Sequence, residues 1–81
     1  MIFKANSTES YYEPNSTRII DGIAPTTRGH EITLRFLQPR TVVSGGNIEL
    51  SGRLNAVVGT GDILCLIFDG ATWHETSRVV K

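Results

Sequence analysis

The sequence predicts an all-β domain, and three observations carry that prediction. Its apolar runs are short and rich in β-branched residues, each is closed by Gly, Asn, Asp or Pro, and nothing sustains a helical period for three turns. A short β-helix-like coil and a β-meander or sandwich both fit this pattern. At 81 residues the chain is one domain, and so small a domain buries a reduced share of its surface.

Residues 1–16 are rich in Ser, Asn, Thr, Glu and Tyr, with Pro14 near the end and no apolar period, and read as a polar N-terminal arm or linker. Residues 17–81 read as the β-rich domain. The strands expected there are 17–23, 31–36, 40–43, 47–50, 54–58, 62–68 and 72–80. Pro25, Gly29, Pro39, Gly45-Gly46, Gly52, Gly59, Gly61 and Asp69-Gly70 punctuate them. Asp-Gly between two strands is a strong hairpin signal, so the last two strands are expected to be antiparallel neighbours. Gly29, Gly46 and Gly61 are almost evenly spaced and each precedes an Ile and Leu pair, which suggests an imperfect repeat of one strand and its return.

Strand 31–36 alternates Ile32, Leu34 and Phe36 against Glu31, Thr33 and Arg35, so it has one wet face. Strand 62–68 does not: Ile63, Cys65 and Ile67 fall on one side, Leu64, Leu66 and Phe68 on the other. Both faces call for burial, and a chain this small covers both with difficulty from its own residues. A multimer is therefore expected, with Ile63, Cys65 and Ile67 on the interchain face. The expected core is Ile32, Leu34, Phe36, Ile48, Leu50, Leu64, Leu66, Phe68 and Trp73.

Other function classes find little support. Eight basic and eight acidic residues are scattered along the chain, so no cationic patch invites nucleic acid. No run approaches the ~20 apolar residues of a membrane span. One cysteine allows no intrachain disulfide, and His30 and His74 lack further ligands for a metal, so neither metal nor cofactor is expected. Cys65 sits mid-strand among aliphatics with no base beside it, which reads as structural. His74 and Glu75, like His30 and Glu31, are adjacent on strands and point to opposite faces, so neither pair serves as acid and base. A glycosidase needs two converging carboxylates, which Asp62, Asp69 and Glu75 could supply if they lay together, but Asp62 and Asp69 bracket a strand and read as turn residues. Gly59-Thr60-Gly61 lacks the Lys of a phosphate loop. The glycosylation patterns at Asn6-Ser7-Thr8 and Asn15-Ser16-Thr17 carry no weight in so Ser- and Thr-rich a stretch. Tyr11 and Tyr12, with Trp73 if exposed, could stack on sugar rings, which makes a carbohydrate-binding module the rival reading.

The order of elements has a further meaning. Gly29-His30-Glu31-Ile32-Thr33-Leu34-Arg35-Phe36, Thr41-Val42-Val43, Gly45-Gly46-Asn47-Ile48-Glu49-Leu50, the run 62–68 and the ending Asp69-Gly70-Ala71-Thr72-Trp73-His74-Glu75-Thr76-Ser77-Arg78 together resemble the C-terminal module of phage tailspikes and tail fibres. That family ends on Asp-Gly-x-x-Trp-x-Glu-x-Ser-Arg, and Trp73, Glu75, Ser77 and Arg78 stand in those places. The likeness covers about residues 17–79. It implies a homotrimer that caps a preceding β-helical spike domain of a longer parent chain and registers the chains during folding. The setting it implies is the virion tail, outside the host cell; whether this module itself contacts host surface polysaccharide, a candidate partner, the resemblance leaves open. Cys65 departs from the pattern, where an aliphatic residue is expected.

Overall fold

The computed structural model describes residues 2–6, 8–14 and 19–81, and among them it is all-β. Its strands are β1 (Ile2–Phe3), β2 (Tyr11–Tyr12), β3 (Ile19–Ile20), β4 (Gly22–Ile23), β5 (Glu31–Arg35), β6 (Arg40–Val42), β7 (Ile48–Glu49), β8 (Ala56–Val58), β9 (Ile63–Phe68) and β10 (Trp73–Val79). One 3-10 turn, Ser51–Arg53, follows β7.

The first six strands stack as a parallel coil. Ile2 pairs with Gly22, Tyr11 with Thr33 and Ile19 with Thr41, so each strand of the first turn lies beside the strand one full circuit later. Each pair founds a different sheet, giving the coil three sides. In each sheet the first-turn strand stands at the end of the order: β1-β4, β2-β5-β9-β10-β7 and β3-β6-β8.

The second turn is followed by reversal. β9 pairs antiparallel with β5, and β8 antiparallel with β6. On the third side Asn47 replaces a strand. Its Oδ1 accepts from the Ile23 amide at 3.0 Å and its Nδ2 donates to the Ile23 carbonyl, the two bonds a neighbouring strand would make. Gly46, just before Asn47, takes φ 56°, a left-handed turn that glycine adopts without strain.

The hairpin signal holds. β9 and β10 are antiparallel neighbours, joined by a turn in which the Asp69 amide donates to the Thr72 carbonyl at 3.0 Å and Gly70 takes φ 103°. The glycine repeat is corrected. Gly29, Gly46 and Gly61 do end turns at positive φ, but the strands they introduce are not stacked: β5 and β9 are antiparallel, and β7 lies beyond β10. The interval that repeats is one circuit of the coil, Ile2 to Gly22, Tyr11 to Thr33 and Ile19 to Thr41, which glycine does not mark. The polar stretch expected to be an arm supplies β1 and β2, which are too short to show a period.

All nine expected core residues are buried, joined by Ile20, Ile23, Val42, Ala56, Val58 and Ala5. The exposed surface is 4702 Å², against the ~4,800 Å² a folded monomer of this mass presents. One chain therefore closes one core by itself. Trp73 is its anchor: fully buried, with its ring 4.9 Å from Phe68 and 6.0 Å, edge-on, from His30. Its backbone amide also donates to the Asn47 carbonyl at 2.7 Å, tying the aromatic anchor to the third side of the coil. Trp73→Ala should cost about 3–5 kcal/mol, and at about 4–8 °C per kcal/mol for a domain this size the melting temperature should fall by more than about 12 °C. Thermal melts followed by circular dichroism measure it.

Candidate functional site

The alternation of β9 decides which of its side chains are available. Leu64, Leu66 and Phe68 point into the core, while Ile63, Cys65 and Ile67 face outward and are half-buried. Cross-strand register sets three rows on this outer face: Glu31, Ile67, His74 and Glu49; Tyr11, Thr33, Cys65 and Ser77; Arg35, Ile63 and Val79. An apolar stripe of Ile67, Cys65 and Ile63 thus runs down the middle of the sheet, flanked by polar side chains except at Val79. The flanks shade the stripe without covering it.

A bulge in β10 between Glu75 and Ser77 interrupts the sheet beside Cys65. There the surface sinks into an open depression of about 410 Å³, lined by Ser10, Glu31, Thr33, Cys65, Thr76 and Ser77. Cys65 Sγ lies 3.7 Å from the Thr33 hydroxyl. In the single chain Cys65 is half-buried on this outer face, with Ile63 and Ile67.

The ending motif is accounted for residue by residue. Asp69 Oδ1 accepts from the Ala71 and Thr72 amides at 2.8 and 2.6 Å, and its Oδ2 accepts from His74 Nε2 at 2.6 Å. Glu75 reaches across the bulge: its side chain, 6% exposed, takes a bidentate bond from Arg78 and accepts the Ser51 amide at 2.8 Å. That clamp holds the 3-10 turn after β7 against β10. Ser77 lies on the outer face opposite Cys65.

The carboxylates considered for chemistry are each committed to backbone. Asp62 accepts the Gly59 amide and the Lys81 amide at 2.8 and 2.9 Å, closing the turn before β9 and tying down the end of the chain. No two of Asp62, Asp69 and Glu75 share a partner among the described residues. His30 is likewise a strut, its Nε2–H donating to the Glu9 carbonyl at 2.8 Å and its Nδ1 accepting from the Thr26 hydroxyl at 2.7 Å. Among the described residues no three His, Cys, Asp or Glu side chains converge as a metal site, and no helix is long and apolar enough to cross a membrane.

The three aromatic rings do not form one platform. Trp73 has no exposed surface. Tyr11 and Tyr12 are neighbours on a strand and face opposite ways. Tyr12 is half-buried, edge-on to Phe3 at 5.2 Å with its hydroxyl among Asn6 and Glu9, and Tyr11 alone is exposed, its hydroxyl donating to Glu13. The glycosylation pattern at 15–17 lies outside the described residues, as does Ser7 of the other.

Sequence reasoning missed Asn47, the Glu75 clamp and a second exposed row, Ile19, Thr41 and Val57, on the outer face of the three-stranded sheet. Only the last left a signal, in the alternation of Ala56-Val57-Val58 and the solvent-facing position this gives Val57. Comparison with protein families, characterised proteins and solved structures finds no match.

The Thr72 and Ala71 amides, with His74, hold the Asp69 carboxyl down at about 2, below the ~3.9 of a free Asp. A folded pKa below the unfolded one contributes stability that is full above pH ~4 and lost as pH falls toward ~2. Asp62 is lowered as well, by the Gly59 and Lys81 amides, and adds to the same acid window. Asp69→Asn should therefore melt lower than wild type at pH 7 and lose less on going from pH 4 to pH 2. Melting curves at those three values of pH check both statements.

Proposed function

We propose that this chain is a structural closing module that trimerises at the end of a β-helical spike, in the manner of phage tailspikes and tail fibres, and carries no active site of its own. The observation that carries the reading is the asymmetry of the coil. Its first-turn strands stand at the ends of their sheets, each with an edge on which a preceding parallel turn would stack. Its second turn is shut on two sides by antiparallel strands and on the third by the Asn47 amide. A parallel stack propagates until something of the opposite direction ends it, and that is what a cap must supply.

The half-open stripe supports the trimer. A depolymerising or receptor-binding spike is built of identical chains side by side, and Ile63, Cys65 and Ile67 give each copy an aliphatic surface to place against the next. The motif residues agree with this role, since Asp69, Trp73, Glu75 and Arg78 shape the hairpin and clamp the turn beside it. The setting that follows is the distal part of a virion tail, outside the host cell.

Light scattering on the purified chain tests the assembly. A trimer of about 27 kDa is expected, three copies of the 8.9 kDa chain. Because one chain closes its own core, Ile67→Glu should fold and yet be monomeric, as burying an unpaired carboxylate costs several kcal/mol at each of three contacts. A wild-type monomer at micromolar concentration, or an Ile67→Glu trimer, would contradict the reading.

A further inference from the structure

We infer that the copies meet through two different faces, the row Ile19, Thr41 and Val57 with Leu54 on one chain seating in the Cys65 depression of the next. This rests on the assembly reading and specifies its geometry. On the three-stranded sheet, Ile19 pairs with Thr41 and Thr41 with Val57, so the three side chains form one outward row. Val57 is 82% exposed and Leu54, just before β8, is 72% exposed, the largest exposures among the described aliphatics. Backbone strain presents Leu54: Gly52 and Arg53 are both left-handed, at φ 73° and 57°, and the chain then turns out to extended geometry at Leu54. A non-glycine residue held there costs energy, and such strain persists where the position it creates is used.

Shape and charge make the two faces complementary. One face protrudes as aliphatic knobs; the other is a hollow floored by Cys65 and Thr33 at the β10 bulge. The Glu31 carboxylate, on the wall of that hollow, has no ion-pair or hydrogen-bond partner among the described residues, and neither does the guanidinium of Arg53 beside Leu54. An unpaired anion at one rim meets an unpaired cation at the other. Hollow against hollow would instead bring two copies of Glu31 together across a two-fold axis, without knobs to fill either depression. A contact between unlike faces uses each once per chain and closes as a ring of three when successive copies are turned by a third of a circle.

The single native thiol makes the faces addressable. A short bismaleimide, which joins two thiols through thioether bonds, is added to dilute wild type, to Val57→Cys and to Val57→Cys/Cys65→Ser, with light scattering on each. Val57→Cys should give covalent dimers and trimers on a denaturing gel, while the wild type and the double variant stay uncrosslinked. A trimer in which Val57→Cys does not crosslink overturns the face assignment and leaves the assembly reading standing. A trimer in which wild type or the double variant crosslinks does the same, because it joins like faces. Monomers in all three overturn both.

Discussion

Every strand in a sheet must find hydrogen-bond partners on two sides or leave one edge to water, and that constraint organises this chain. Parallel stacking makes the constraint acute, because the exposed edge of each turn is identical to the edge just satisfied and accepts another turn without limit. The second half of the chain ends the stack. β9 and β8 run backward against β5 and β6, and on the side where no strand arrives a side-chain amide reproduces both bonds of one. The coil is thereby given a direction, with parallel first-turn strands at one end and the reversed strands and the Asn47 amide at the other.

The reversal also fixes the surface. Once β9 lies against β5 and β10 against β9, the alternation of β9 puts Leu64, Leu66 and Phe68 under the sheet and Ile63, Cys65 and Ile67 on top. Trp73, at the start of β10, fills the space beneath the hairpin, and Asp69 and Glu75 hold the hairpin and its neighbouring turn with charge-assisted bonds to backbone amides. The polar residues that looked available for chemistry are thus the ones that hold the closure in shape. What remains outward is aliphatic on two sheets and unequal in form, a hollow on one and protruding residues on the other.

Much of this was legible locally. The alternation in strands 31–36 and 62–68, the Asp69-Gly70 turn and the core residues depend on neighbours in sequence, and period and turn chemistry report those. The short strands β1 and β2 were not legible, because a strand of that length has no period and owes its existence to β4 and β5, one circuit later along the chain. Asn47 with Ile23 and Glu75 with Ser51 are of the same kind, distant in sequence and joined through one side chain: a polar group does not announce which remote backbone it will satisfy. The even glycines misled for a related reason. Glycine marks where a chain turns, whereas the stacking interval is set by how far it travels around the coil before returning.

Native-state hydrogen exchange resolved by residue tests the closure most directly. The Ile23 amide, whose acceptor is the Asn47 side chain, should be strongly protected in the wild type and should exchange quickly in Asn47→Ala, while Leu34 and Leu66 in the five-stranded sheet keep their protection. If Ile23 exchanges quickly in the wild type, or remains as slow when the amide is removed, the third side is not closed by Asn47 and the coil has no sealed end.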